Sequence, residues 1–106
     1  PVLSINSKVE CTGGTAGSYQ CKDIDLMAFM DKTDIGGGNT TSLNDIWGWT
    51  DSVTNKEYAI VGMSNGTSFV DVTSPDNPIY IGRLATHSSN STWRDIKVYN
   101  NHLHIF

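Results

Sequence analysis

Short apolar stretches separated by polar turns run through the middle of the chain and predict a series of β-strands. The predicted strands cover residues 45–50, 57–63, 68–72 and 79–84. Asn65-Gly66, between the second and third strands, predicts a type I′ hairpin turn, in which both central residues have positive φ. Residues 73–78 contain two prolines and predict a corner before the fourth strand. Four short antiparallel strands in succession are the content of one β-propeller blade.

The start of this unit is echoed later in the chain. Asn-Asp-Ile-Trp at residues 44–47 returns fifty residues on as Arg-Asp-Ile-Lys at residues 94–97. Two strands are predicted in this second copy, over residues 95–99 and 102–106, and a tight Asn-Asn turn at residues 100–101 joins them. A repeat of this period is typical of blades or stacked units. The second copy supplies two strands where the first supplies four, so we expect an incomplete second repeat.

The N-terminal part has a different composition. Residues 1–18 are rich in Ser, Thr and Gly and are predicted to form an extended arm. Within this arm, Val-Leu-Ser-Ile at residues 2–5 alternates and predicts one strand that adds to a neighbouring sheet. Apolar residues at i, i+3 and i+4, with aspartates able to cap the first turn, predict a short helix over residues 23–30.

A resemblance to a known family is carried by the first repeat. Residues 69–78, Phe-Val-Asp-Val-Thr-Ser-Pro-Asp-Asn-Pro, form an apolar strand that includes Asp71 and is followed by a corner with Pro75 and Pro78. Further blocks of the resemblance lie at residues 16–21, 44–50, 57–59 and 93–100. In these blocks the chain resembles the LVIVD-repeat proteins of the choice-of-anchor B family, although that family tends to place proline where Gln20 stands.

The resemblance implies an extracellular, β-propeller-like protein with a surface-anchoring device at its far C-terminus, and it transfers no catalytic role to any position. We therefore predict an all-β fold of antiparallel, blade-like four-stranded repeat units, incomplete, with an extended N-terminal arm that contains a disulfide and one short helix. The predicted organisation is an arm over residues 1–38, a first repeat over residues 39–84 and the start of a second repeat over residues 85–106.

The length, charge and hydrophobicity of the chain argue against some classes of binding partner. The 106 residues are enough for one small domain. The net charge of −4, with seven Lys and Arg scattered singly, argues against binding to nucleic acid or to an anionic membrane surface. The longest apolar run has three or four residues, against the roughly 18 needed to cross a bilayer, so no transmembrane segment is predicted.

The two cysteines bear on the cellular compartment of the protein, because disulfides form in oxidising environments. Cys11 and Cys21 are separated by nine small or polar residues, a stretch that can close into a loop. A disulfide there would stabilise the fold by about 2.5–3 kcal/mol in the loop-closure model. The spacing does not match a C-x-x-C redox pair or a zinc knuckle, and two free thiols or a metal role are the alternatives. We predict the disulfide.

Three N-glycosylation acceptor patterns begin at Asn39, Asn65 and Asn90. With nine Asn and 22 Ser plus Thr, about two such patterns are expected by chance, so their number is a weak excess. Each one falls in a predicted loop or turn, where a modifying enzyme has access. With the disulfide, these positions predict an extracellular or cell-surface glycoprotein whose only attached groups are N-linked glycans, with no cofactor.

Asp45 and Asp95 occupy the same place in the two copies and raise the question of paired carboxylate catalysis. A carboxylate that recurs with a repeat is better explained as a hydrogen-bond acceptor that ties the backbone of one unit to the next. A catalytic pair would need two environments that drive the two pKa values apart. We therefore interpret both aspartates, together with Asp71, Pro75 and Pro78, as structural repeat residues.

Metal and sugar sites are the other candidates. His102 and His104 alternate on a predicted strand, and His87 could join them from the preceding loop, which makes a weak zinc site; the alternative is that they lie on the outer face. Aspartates that could hold calcium lie at positions 23, 25, 31 and 34, but the EF-hand loop pattern is absent. Aromatic residues that could stack on a sugar, or fill the space between sheets, are Trp47, Trp49, Tyr58, Tyr80, Trp93 and Tyr99.

No nucleophile or metalloprotease motif is found in the sequence, so no enzyme activity is predicted. The preferred hypothesis is a structural or interaction glycoprotein that acts through β-sheet contacts with itself or with further repeats. Such contacts could build filaments by strand donation, for example through residues 2–5. The alternative is a fragment of a closed extracellular β-propeller that binds a glycan, a metal or a small substrate, with hydrolase activity as one option.

Overall fold

The computed structural model describes residues 8–87, 89–91 and 95–106, and over these residues the fold is all-β, with no helix. The strands are β1 (Thr15–Ala16), β2 (Tyr19–Gln20), β3 (Leu43–Asp51), β4 (Lys56–Met63), β5 (Gly66–Asp71), β6 (Ile79–Ala85), β7 (Ile96–Tyr99) and β8 (His102–Ile105). The predicted class, an antiparallel all-β protein, is confirmed. No helix in the part of the chain that is described is long and apolar enough to cross a membrane.

The central element is a four-stranded antiparallel sheet in the order β3-β4-β5-β6. Its strands match the four predicted ones to within two residues at each end. The pairing of β3 with β4 shifts register between Leu43 and Asp45, and that of β5 with β6 shifts between Phe69 and Val70. Such irregularities bend and twist a sheet locally.

The hairpin between β4 and β5 forms where it was predicted, but its turn type was predicted wrongly. Met63 pairs with Gly66, so Ser64 and Asn65 form the turn, and neither Asn65 nor Gly66 has positive φ. Glycine is needed here for a different reason: a Cβ on Gly66 would lie 2.6 Å from the carbonyl oxygen of Leu84 in β6. The close approach of a neighbouring strand, and not a left-handed backbone, therefore explains this residue.

Both faces of the central sheet are apolar. On the face that we call the arm face, Val61, Met63 and Val70 form a buried cluster with Ile35 from the N-terminal segment, and Met30 packs against it. On the opposite face, which we call the hairpin face, apolar side chains lie opposite the β7–β8 hairpin; they include Trp49, Tyr58, Ile60 and Phe69. A sheet that is apolar on both faces must be covered on both.

The predicted helix over residues 23–30 is wrong. Leu26 instead forms an antiparallel bridge with Val9, with both backbone hydrogen bonds made at 2.7 and 2.9 Å. Asp25 accepts a hydrogen bond from the backbone N–H of Cys11 at 2.9 Å, so it does not cap a helix. Isolated helices of this length are marginal, because nucleation is unfavourable, and the pairing with Val9 therefore decides the conformation.

The hairpin predicted near the end of the chain is formed by β7 and β8, and we refer to it as the second unit. Its tight turn is formed by Asn100 and Asn101, which have φ of 53° and 59°, values that Asn tolerates better than most residues. The predicted strand over residues 2–5 and the side chain of Trp93 lie outside the described residues.

Candidate functional site

The joint between the two units is built around Asp45 and Ile96. The backbone N–H of Ile96, the first residue of β7, donates a hydrogen bond to Asp45 Oδ2 of β3 at 2.8 Å. This bond is the main reason why the pKa of Asp45 lies below its ordinary value. The Ile96 side chain is completely buried. It fits against Gly62, where an added Cβ would lie 2.8 Å from Ile96 Cδ1. This hydrogen bond and this buried side chain both join the hairpin to the sheet.

Asp95 directly precedes Ile96, whose backbone N–H binds Asp45, and it therefore lies beside Asp45. Lys97 Nζ lies 3.3 Å from Asp95 Oδ1 and 4.6 Å from the ring centroid of Trp47. The contact with the aromatic face of Trp47 therefore connects β7 to β3, while the contact with Asp95 stays within the second unit. Because Asp45 holds a backbone N–H and Asp95 pairs with a lysine, the arrangement fits a structural joint between repeats.

An apolar cleft of about 370 Å³ lies between the hairpin face and the β7–β8 hairpin. Trp49 and Tyr58 stack at one end of this cleft, with ring centroids 5.6 Å apart. The remaining lining residues are Ile60, Phe69, Ile81, Val98, Asn101 and Leu103. The aromatic pair therefore borders the space between two β layers, although it does not fill it.

A second cleft of about 210 Å³ lies near the other end of β8. Ile105 lines it from the hairpin, and Thr67, Leu84 and His87 line it from the first unit and the loop that follows. The hairpin is therefore bordered by two clefts where it packs on the sheet. Apolar side chains of β6 remain exposed beside it: Ile81 is 56% exposed and Leu84 is 52% exposed.

The candidate metal ligands are dispersed. His102 Nδ1 lies 2.8 Å from the carbonyl oxygen of Asn100, and the His104 ring stacks on Phe106. Asp31 accepts hydrogen bonds from the backbone and hydroxyl of Thr33. Within residues 8–87, 89–91 and 95–106, no group of three or more His, Cys, Asp or Glu is placed to hold a metal ion. The geometry thus gives no support to a zinc or calcium site in this part of the chain.

The corner after β5 is organised by Asp71. Its Oδ1 accepts a hydrogen bond from the backbone N–H of Thr73 at 2.9 Å, and hydrogen bonds from Thr73 lower the pKa of Asp71. The Thr73 hydroxyl in turn accepts from the N–H of Glu57 at 2.9 Å, which fixes the corner to β4. Pro75 and Pro78 line the apolar surface at the edge of the arm face. Asp71 and the two prolines therefore shape this corner.

The predicted disulfide is present between Cys11 and Cys21, whose Cα atoms are 6.0 Å apart. Beside it, Asp25 accepts the Cys11 N–H and pairs with Lys8 at 3.3 Å, and these contacts hold the pKa of Asp25 below its ordinary value. The loop is thereby connected to the segment that covers the arm face.

The three acceptor asparagines differ in their surroundings. Asn39 and Asn90 are exposed, whereas Asn65 is half-buried in the β4–β5 turn. Asn65 Oδ1 and its backbone carbonyl accept hydrogen bonds from Arg83 Nη2 at 3.1 and 2.7 Å. A glycan would be attached to the side-chain nitrogen of Asn65. Both hydrogen bonds from Arg83 are made to oxygen atoms, so they do not involve this nitrogen.

Some residues of the site were missed by the sequence analysis. Ser68 is buried and donates to the carbonyl oxygen of Ile35, which fixes the N-terminal segment on the arm face. The contact of Lys97 with Trp47 was also missed. The two residues occupy the same position in the repeated segments, residues 44–47 and residues 94–97. The occurrence of two residues at equivalent positions of adjacent repeats was therefore the sequence signal from which this contact could have been predicted.

Comparison with known proteins adds no relative: no family model, no curated protein and no solved structure matches the chain.

Proposed function

We propose that this chain is an extracellular β-sheet interaction module, a blade-like unit that works by packing sheet faces and pairing strand edges with further β-strands. The observation that carries the proposal is the central sheet with two apolar faces, of which the hairpin face is only partly covered by β7–β8. A repeat unit of this kind cannot bury its own apolar surface alone. Its function is then contact with a neighbour, and no catalytic arrangement is required.

The resemblance to LVIVD repeats of the choice-of-anchor B family belongs to this proposal. Two observations support it: the Asp71 corner leads into the Pro75 and Pro78 turn, and Asp45 joins the start of one repeat to the start of the next. In a β-propeller the first strands of adjacent blades also lie side by side, as β3 and β7 do here. We extend the proposal to an extracellular or cell-surface glycoprotein, which the disulfide supports.

Self-association tests the proposal. The disulfide-bonded chain is analysed by size-exclusion chromatography with light scattering over a range of concentrations, and the associated fraction is imaged by negative-stain electron microscopy. We expect concentration-dependent oligomers or filaments, because open edges and apolar faces favour head-to-tail contacts. A monodisperse monomer at every concentration would contradict assembly through the chain's own surfaces.

Glycosylation is tested separately by expression in a eukaryotic secretory system. We expect the intact mass to exceed that of the polypeptide and to fall on treatment with an N-glycosidase. Single Asn39→Gln and Asn90→Gln variants should each remove one glycan, since both positions are exposed. A mass equal to that of the bare polypeptide contradicts the glycoprotein part of the proposal and leaves the sheet-contact part untouched.

The second candidate function is that of a segment of a closed extracellular β-propeller, whose mouth binds a glycan or a small substrate. The side-by-side placement of β3 and β7, joined through Asp45 and Ile96, favours it. Intact mass and sequencing of the native polypeptide separate the two candidates. Further Asp-Ile and Pro-x-x-Pro repeats in one continuous polypeptide support the closed propeller, and their absence supports assembly from separate chains.

A further inference from the structure

The three acceptor asparagines converge at one end of the central sheet, which we call the acceptor end. Ser64, just after β4, donates its N–H to the carbonyl oxygen of Ser42, just before β3, at 2.8 Å, and Ser42 N–H donates to Ser64 Oγ at 3.1 Å. Ser91 N–H donates to the Ser64 carbonyl oxygen at 2.8 Å, so the segment after β6 reaches the same place. Each of these serines lies within three residues of one acceptor: Asn39, Asn65 and Asn90.

The opposite end carries no acceptor pattern. Its turns and its corner contain four asparagines, none of which is followed two positions later by Ser or Thr: Asn55, Asn77, Asn100 and Asn101. The two ends are separated by the eight residues of β4, which span about 25 Å at ~3.3 Å per residue. Glycans at the acceptor end therefore project from the ends of the strands, away from the two sheet faces that carry the proposed contacts.

Two of the acceptor patterns place their threonine inside the fold. Thr41 completes the pattern that begins at Asn39, and Thr67 completes the one that begins at Asn65. Each threonine is only 3% exposed, whereas Asn39 is exposed and Asn65 is half-buried. The third residue of the pattern at Asn90 lies outside the described residues. In both described patterns the hydroxyl residue is thus less accessible than the asparagine.

The first acceptor is closed by a turn and by a lysine. Thr41 Oγ1 accepts a hydrogen bond from Gly38 N–H at 2.9 Å, and Thr41 N–H donates to the Gly38 carbonyl oxygen at 3.0 Å. Lys32 Nζ donates to the carbonyl oxygens of Asn39 and Thr41, at 2.9 Å each. The Thr41 hydroxyl therefore already holds a backbone N–H, and Lys32 fixes the turn around it.

The second acceptor is closed by the sheet itself. Thr67 pairs with Gly62 of β4 and with Leu84 of β6, so it lies between two neighbouring strands. Exposing its hydroxyl requires the start of β5 to separate from a neighbour. Arg83 of β6 holds the carbonyl oxygen and Oδ1 of Asn65, at 2.7 and 3.1 Å. The nitrogen of the planar Asn65 amide points away from Oδ1, so these bonds persist when it carries a glycan.

The transfer of a glycan needs access to both residues of the pattern. An oligosaccharide carried on a lipid diphosphate forms a bond between its anomeric carbon and the asparagine Nδ2; the lipid diphosphate leaves, and the amide nitrogen loses one proton. Because the pattern requires Ser or Thr at its third position, the enzyme must contact that hydroxyl as well as the amide. A hydroxyl that is enclosed by the sheet or by its own turn cannot make this contact.

We propose that folding of the central sheet closes the acceptors at Asn39 and Asn65, so that glycans are added there only while Thr41 and Thr67 are still exposed. Occupancy at these two positions is then set by competition between glycan transfer and formation of the sheet. This inference rests on the glycoprotein part of the proposed function, and it adds the state of the chain that is modified. Glycans added in time remain at the acceptor end, where they leave the sheet faces clear.

The test compares folded and unfolded acceptors with a purified oligosaccharyltransferase and a lipid-linked oligosaccharide. The substrates are the disulfide-bonded 106-residue chain and two blocked peptides with the sequences of residues 36–44 and 62–70. Occupancy of each asparagine is followed over time by mass spectrometry of proteolytic fragments. We expect both peptides to be modified. The folded chain should be modified at Asn39 and Asn65 at least about a hundredfold more slowly, because the enzyme acts only on locally opened molecules.

Two variants of the full chain provide matched controls, and circular dichroism first checks that each is folded. Ser52→Asn creates an acceptor pattern with Thr54 in the β3–β4 turn, where all three residues of the pattern are exposed. It should be modified in the folded chain within about tenfold of the rate of its own peptide. Lys32→Met removes the two hydrogen bonds that fix the first acceptor, and it should speed modification at Asn39 by about tenfold with no change at Asn65.

Three outcomes overturn the proposal. They are modification of the folded chain at Asn39 or Asn65 at the rate of the peptides, absence of modification of Ser52→Asn in the folded chain, and equal acceleration at both acceptors in Lys32→Met. The second would show that burial of the threonine is not the cause, and the third that the two acceptors do not close separately. Peptides that stay unmodified overturn the glycoprotein part of the proposed function as well, which distinguishes the two failures.

Discussion

Replacing Ile96 by alanine measures how strongly the second unit is held to the first. The Ile96 side chain has no exposed surface, and it contacts the backbone position of Gly62. The substitution removes three carbon atoms, which corresponds to about 2.4 kcal/mol at ~0.8 kcal/mol for each buried methylene. Incomplete collapse around the new cavity adds to this cost, so we expect a total loss of about 2–5 kcal/mol.

The assay is urea unfolding of the oxidised chain, followed by tryptophan fluorescence and by far-ultraviolet circular dichroism. Ile24→Ala is the matched control, because the same atoms are removed from a side chain that is 73% exposed, and it should change the free energy of unfolding by less than about 0.5 kcal/mol. For a domain of this size, the Ile96→Ala loss lowers Tm by about 10–25 °C. Equal stabilities of the two variants would refute the assignment of Ile96 to a buried joint.

Three further predictions concern the glycine at the joint, the carboxylate at the joint and the disulfide. Gly62→Ala should destabilise the fold by about 1–3 kcal/mol, because its Cβ meets Ile96, whereas Gly48→Ala, with nothing within 4 Å of its Cβ, should have little effect; chemical denaturation of both compares them. The pKa of Asp45 is depressed in the folded chain, so its stabilisation is present above the unfolded value of about 3.9 and is lost as the pH falls through the lower folded value. The free energy of unfolding should therefore decrease on acidification below about pH 4, and less steeply in Asp45→Asn; equal slopes would contradict this. Reduction of the disulfide should lower the free energy of unfolding by about 2.5–3 kcal/mol, measured by denaturation with and without reductant, and an unchanged midpoint would contradict its stabilising role.

The strands of the central sheet could be predicted from the sequence because their signals are local. A run of apolar residues predicted the strand β4, and the prolines after β5 predicted the corner before β6. The β7–β8 hairpin was predictable for the same reason, since Asn100 and Asn101 provide the turn in their own segment. The disulfide could also be predicted, because the loop between its cysteines is short.

The errors occurred where distant contacts compete with a local preference. Residues 23–30 have helical spacing, yet Leu26 pairs with Val9 from the other side of the disulfide loop, and this pairing prevails over a helix that is too short to be stable alone. The turn at Asn65 and Gly66 has the sequence of a type I′ turn, yet Arg83 of β6 holds the Asn65 carbonyl and β6 approaches Gly66 closely. In both cases the deciding partner is remote in sequence.

The sequence by itself determined the all-β class, the strands of both units, the disulfide and the repeat that relates Asp45 to Asp95, because alternation, turn residues and spacing act over a few neighbouring positions. Only the tertiary structure decided which backbone N–H Asp45 accepts, that of Ile96, and that the N-terminal segment covers one sheet face. It also decided that clefts remain beside β8. These features depend on how two β layers pack together, and that packing is fixed by residues some fifty positions apart, whose contacts no pattern of neighbouring residues encodes.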